Sequence, residues 1–363
     1  NAMTTNQLGS RSVAVGFESL KTQNPATAVD MYNVGIGFNA GQQITTGQFN
    51  VVLGSRALDA ATTGWSNTAI GDRTLSTETT GQSSTAVGYR ALTTQNVGGT
   101  TDTYNTAVGV NAGVAVTTGV QNTLIGGLAG DALTDADDNT AVGVGALTTD
   151  TLGSKSTAIG RSALQTQNFT TATDTFNVAV GHSAGIAVTT GIHNTLIGGL
   201  AGTALTDTDN NVAIGQGALT ADTLGSKTVA IGRQALTEQN FTTATDTFNT
   251  AVGYQAGLSV TTGTSNAFFG SGSGDALTVG INNVAIGHGS FTTSVAGRFN
   301  VAIGTHALSE QANATATDSY NTAVGYIAGG AVTTGIKNTI MGGLAGDATT
   351  TGCLLYTSPS PRA

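Results

Sequence analysis

The sequence predicts an all-β fold, a parallel β-roll or β-solenoid of about nineteen short coils, and three observations predict it. A five-residue phrase, Asn-Thr/Val-Ala-Val/Ile-Gly, recurs along the chain, as in Asn105-Thr106-Ala107-Val108-Gly109. Its closing glycines, from Gly16 to Gly342, follow one another at intervals of only 17 or 21. From Gly37 onward, three short coils and one long one make a four-coil super-repeat, with Gly37, Gly109, Gly181, Gly253 and Gly325 in register. Composition agrees: 52 of 363 residues are Gly, 9% are charged and 5% aromatic. So few large side chains can fill only a thin core, and a period of 17 is too short for a helical-hairpin repeat.

Each coil divides into recognisable parts. The phrase alternates about a small central Ala, the period-two pattern of a strand. Gly, Asn and Thr-Thr-Gly punctuate the coil as turns. Four residues before the marker glycine stands Asn in fifteen of nineteen coils, the exceptions being Ser12, Ser84, Ser156 and Thr228. Stacked amides there can hydrogen-bond along the axis. Three residues after the glycine only Ala, Ser or Thr occurs, which implies close backbone approach. The next position alternates between Leu (Leu58, Leu147, Leu219) and Gly (Gly41, Gly113, Gly185), with Phe291 once. At about 4.8 Å per strand, the coils would stack into a rod on the order of 90 Å long.

Three segments follow: a lead-in at 1–9, the repeat domain at 10–352 and a tail at 353–363. Asn1-Ala2-Met3 resembles a tag remnant before a start methionine. The tail loses the register, with Pro359 where the next marker glycine is due, and reads as an artefactual continuation.

The charge of −9 argues against nucleic acid, which demands a basic stripe. No apolar run is long enough to insert in a membrane as a helix. One cysteine, Cys353, provides neither a disulfide framework nor a cysteine zinc site. His182, His193, His288 and His306 occupy different coil positions, so no metal or acid–base cluster is expected. With no nucleophile constellation, the chain is expected to be no enzyme and to need no cofactor.

Two features recur once per super-repeat and are candidate sites. The central Ala of the phrase is enlarged at Val52, Leu124, Leu196, Phe268 and Ile340. Alternation puts these side chains on the outer face, as a candidate trimer interface. The long coils carry four additional residues, expected to protrude as loops along one edge. The candidate binding residues there are Asp102, Tyr104, Phe169, Asp174, Phe176, Phe241, Asp246, Phe248, Asp318 and Tyr320. Aromatic and polar groups on a rigid scaffold suit glycans. The bland account is that each Asp caps a turn while the aromatic packs beneath it. Asp-rich turns at 131–138 and 207–209 lack the spacing of known calcium loops. The Thr-Thr-Gly rows put adjacent threonines on opposite faces, unlike a flat ice-binding array.

Phrases such as Ser12-Val13-Ala14-Val15-Gly16 and Asn211-Val212-Ala213-Ile214-Gly215 resemble the head repeats of YadA-type trimeric autotransporter adhesins. The Asn-Thr-Ala-Val-Gly form is similar to segments of bacteriophage tail fibres. The resemblance covers about residues 10–352 and implies a left-handed β-roll assembled as a homotrimer. It implies an extracellular attachment role, on a virion fibre or bacterial cell surface, with a host receptor or glycan as partner. The coils are longer than the family's usual ones, and no membrane barrel, coiled-coil stalk or tip domain accompanies them. A monomeric ice- or glycan-binding solenoid is the alternative.

Overall fold

The computed structural model describes residues 1–357. Among them there is no helix, and the chain winds as a parallel β-solenoid of about twenty turns spaced by about 17 residues. Two compact units divide it, Asn1–His182 and Ser183–Ala363. In the first, ten three-residue strands run from Val13–Val15 to Val178–Val180. In the second, nine run from Thr195–Ile197 to Thr339–Met341, and the two-residue strand Tyr356–Thr357 pairs with the last of them. Within each unit successive strands pair in parallel with like residues opposed, as in Thr140↔Thr157, Ala141↔Ala158 and Val142↔Ile159.

The marker glycine is dictated by space. Gly143 has φ +138°, and a Cβ there would lie 2.5 Å from the carbonyl oxygen of Gly160 in the next coil. Only glycine combines that dihedral with that approach. The Asn row works as a ladder of a specific kind. Asn139 Oδ1 accepts the backbone N–H of Ser156 (2.9 Å), while its Nδ2 donates to the carbonyl of Gly153 (2.9 Å). Asn122 Oδ1 in turn accepts the N–H of Asn139 (3.0 Å). Each amide thus satisfies backbone groups that the thin core removes from water, and these Asn side chains are wholly buried.

The strand faces are the reverse of the sequence expectation. The central residue of the phrase points inward, and Val52, Leu124, Leu196, Phe268 and Ile340 are all 0% exposed within the single chain. They are core residues, so the exterior row expected of them does not exist. The flanking Thr, Val and Ile point outward, with Ile125, Ile159 and Leu53 exposed by 39%, 37% and 44%.

Four of the five enlarged residues, Leu124, Leu196, Phe268 and Ile340, coincide with Gly at the position four residues after the marker glycine, whereas Val52 stands with Leu58. In the coils centred on Ala141 and Ala158, that position carries a buried Leu, Leu147 or Leu164. Where the centre is Leu124, the flanking positions are Gly113 and Gly130. A Cβ on either glycine would fall 2.6 or 2.7 Å from a Leu124 methyl. Phe268 sits likewise against Gly257 and Gly274, and Leu196 against Gly202. At these coils a large side chain enters the core from the strand where the turn has none.

Hydrogen bonding also extends past the expected segment boundaries. Met3 N–H donates to Ser19 O (3.0 Å), and Leu355 N–H to Asn338 Oδ1 (3.0 Å). Of the tail expected to be artefactual, residues 358–363 lie outside the described residues.

Candidate functional site

The residue preceding each ladder position has a left-handed backbone in every coil, from Arg11 (φ 58°) to Leu354 (φ 60°). None of the twenty is glycine, although the conformation costs about 1 kcal/mol or more for ordinary side chains. Axial hydrogen bonds hold it: Lys155 N–H donates to Asp137 O (3.0 Å) and Gln121 N–H to Thr103 O (2.7 Å). The row therefore has a fixed backbone and varied side chains, among them Arg11, Tyr32, Phe49, Lys155, His193 and Lys337.

The candidate loop residues converge on this row. The residues added in the long coils do not simply protrude. They fold back as two-residue strands, Thr173–Asp174, Thr245–Asp246 and Thr317–Asp318, paired in parallel with Gly153–Ser154, Gly225–Ser226 and Gly297–Arg298. Asp102 makes the equivalent bridge to Gln82. Asp174 and Asp246 each accept an ion pair from the previous coil, from Lys155 and Lys227 at 2.5 Å. The same ammonium groups lie 5.4 and 5.5 Å from the ring centres of Phe176 and Phe248, a cation–π distance. The hydrogen bond that Lys155 donates to Asp174, aided by the charges of Asp174, Asp138 and Asp137, raises the Lys155 pKa above the ordinary lysine value. Asp318 pairs with Arg298 at 3.8 Å, Tyr320 stacks on Phe299 at 5.0 Å, and Asp102 accepts from Ser83 Oγ at 2.8 Å. The aromatic residues Tyr104, Phe176, Phe248 and Tyr320 are about half exposed, and Tyr104 reaches 58%.

Phe169 and Phe241 do not belong to this surface. They are 7% and 6% exposed, and they close a buried polar cluster that the sequence reading missed. Asp150 Oδ1 accepts the backbone N–H of Gly153 (3.0 Å) and Phe169 (3.0 Å), and its Oδ2 accepts Gln167 Nε2 (2.5 Å). Gln167 also donates to Ser156 Oγ (2.8 Å) and accepts from Asn177 Nδ2 (2.9 Å). Asp222, Gln239, Thr228 and Asn249 repeat the arrangement. Burial pushes the Asp222 carboxyl above its ordinary value, against the opposing pull of Gln239 and the N–H groups of Phe241, Gly225 and Leu224. The visible sequence signal was Gln95, Gln167, Gln239 and Gln311, recurring once per super-repeat inside the long coils. Ser294 stands in the acid's place and Asn313 in the phenylalanine's, so the two positions change together.

Other expectations resolve as follows. His288 and His306 stack edge to face at 5.4 Å in adjacent coils, a pairing that a separation one greater than the short coil allows. In the Asp-rich turn, Asp135 accepts Thr118 Oγ1 (2.6 Å) and Asp137 accepts the N–H of Val120 (2.8 Å). The first threonine of the pair donates to the next coil's carbonyl at Thr117, Thr261 and Thr333, each at 3.2 Å, so these threonines are part of the axial bonding. Among the described residues, no three His, Cys, Asp or Glu side chains converge as metal ligands, and no helix is long and apolar enough to cross a membrane.

This edge sets exposed aromatic and charged groups on a repeated backbone geometry. Comparison with known proteins adds no assignment, since no family model and no curated protein matches the chain.

Proposed function

We propose that the protein is the shaft or head of a trimeric attachment fibre, a phage tail fibre or cell-surface adhesin, acting outside the cell. The observation that carries the reading is an outward apolar row. The residue before each marker glycine is Val, Ile, Leu, Phe or Met in every coil, from Val15 through Ile125 and Ile159 to Phe269 and Met341. Several of these side chains are more than a third exposed in the isolated chain. A continuous apolar line along the parallel strands of each unit is the surface that self-association would cover. Its neighbours on the coil, the left-handed row with its aromatics and lysines, would then supply the exposed contacts, adding weak interactions by multivalency. The resemblance to adhesin head repeats supplies the trimer and the left hand of the coil.

The test is gel filtration with light scattering. Three chains are expected, and replacing Ile125 and Ile159 with Asp should dissociate them. A monomer for the unmodified protein at micromolar concentration would remove the fibre reading.

A further inference from the structure

One groove breaks the symmetry of the super-repeat. It encloses about 340 Å³ and is lined by Gln48, Phe49, Thr63, Trp65, Gln82 and Thr100, among others. A space of that size lies at the small end of ligand pockets. In the next super-repeat the positions equivalent to Gln48, Trp65, Gln82 and Thr100 are Val120, Asp137, Ser154 and Ala172. In the one after that they are Ile192, Asp209, Ser226 and Ala244. Only the first super-repeat thus places two amides, a threonine and the chain's single tryptophan together.

We infer that this groove binds the uncharged end of a surface glycan, one or two neutral sugar rings. Trp65 and Phe49 are exposed by 45% and 48% and offer flat apolar faces for the C–H side of a ring. The polar groups around them are amides and hydroxyls, which pair with sugar hydroxyls as donor and acceptor. No Lys, Arg, Asp or Glu lines the groove, so it has no complement for an anion or a cation.

An independent observation points to a ligand. Gln82 is only 5% exposed, and its Oε1 is buried with no hydrogen-bond partner. An acceptor left unpaired out of water carries a desolvation penalty that a donated hydroxyl would remove. Its backbone is fixed, with the N–H donating to Thr101 O (3.0 Å) and the carbonyl accepting from Thr103 (3.0 Å). The long coil completes the wall by carrying Thr100 past Gly98 and Gly99, whose φ values of 64° and 66° turn the chain there.

The inference names a ligand class for the attachment reading and rests on that reading for its purpose. Light scattering tests the fibre and a sugar titration tests the groove, so the two can fail separately. Because Trp65 is the only tryptophan, its fluorescence reports the groove directly. Lactose, maltose, cellobiose and N,N′-diacetylchitobiose are titrated into the full-length protein. At least one should give a saturable change in emission, and acrylamide should quench Trp65 less when that sugar is bound. Gln82→Leu, close in volume, should weaken the binding about tenfold or more while leaving the thermal transition in place. No saturable change with any sugar up to its solubility limit would overturn the assignment. So would unchanged affinity in Gln82→Leu, or a Trp65 already shielded from acrylamide in the sugar-free assembly.

Discussion

Exchanging a large side chain between strand and turn tests the account of the core directly. Leu124 is wholly buried and faces Gly113 and Gly130, which have no side chains to move into the space it would vacate. Leu124→Ala should therefore cost about 3–5 kcal/mol, the upper part of the range for buried leucines, because the cavity cannot collapse. Gly130→Leu alone would set a Cβ 2.7 Å from one Leu124 methyl and 2.8 Å from Leu133, and should cost about 1–3 kcal/mol by overpacking. Backbone strain adds little distinction, since Gly130 already has φ 56° and Leu147 occupies the same position in the next coil at φ 54°. Combining the two changes recreates the Ala141–Leu147 pattern. The leucine introduced at position 130 then fills the space that Leu124 vacates, and the double variant should recover about 2 kcal/mol over the additive sum. Urea unfolding followed by far-UV circular dichroism measures this, with light scattering on the same samples. The reasoning fails if the two changes add without coupling. It also fails if Leu124→Ala leaves the urea midpoint unchanged but dissociates the assembly, which would put Leu124 between chains.

Three further outcomes follow from the same geometry. Asn139→Ala strands the N–H of Ser156 and the carbonyl of Gly153 in the core and should cost about 2–4 kcal/mol, read as a lower urea midpoint; an unchanged midpoint would mean water reaches the ladder. The raised carboxyl of Asp222 means the folded state holds its proton more tightly than the unfolded chain. Its stabilising contribution is therefore full below the ordinary value of 3.8 and is lost as pH rises through the folded pKa. The stability of the unmodified protein relative to Asp222→Ser should fall as pH rises from that value, and a pH-independent difference would contradict burial as the cause. Asp174→Asn should return the raised Lys155 pKa toward the ordinary lysine value, measured by NMR titration of the side-chain amine; no movement would show that the pair does not persist in solution.

Much of the fold was legible in the sequence. The phrase, its glycines and the spacing of 17 and 21 established the coils, because each residue's role repeats in every turn and errors at one coil are corrected by the others. The Asn row and the small-residue row were visible for the same reason. The sign of the strand was not. An Ala-centred phrase flanked by Val and Ile reads as an apolar exterior and a bland interior or the reverse, and alternation alone treats the two faces alike. Hydrophobicity favours the wrong one here, since Val and Ile outrank Ala.

Space decides instead. The central side chain enters the core beside the turn of its own coil, so Ala141 accompanies Leu147 while Leu124 lies against Gly113 and Gly130. The edge shows the same division. Recurrence marked Asp174 and Phe176, but only the stacking of coils brought Lys155 between them and drew Phe169 inward over Asp150. The groove at Trp65 needed the three-dimensional structure most of all, because its residues come from different coils and depart from the repeat that made the rest readable. Sequence periodicity determined what every coil shares, and tertiary packing alone decided which side of each strand is dry and which side chains of different coils meet.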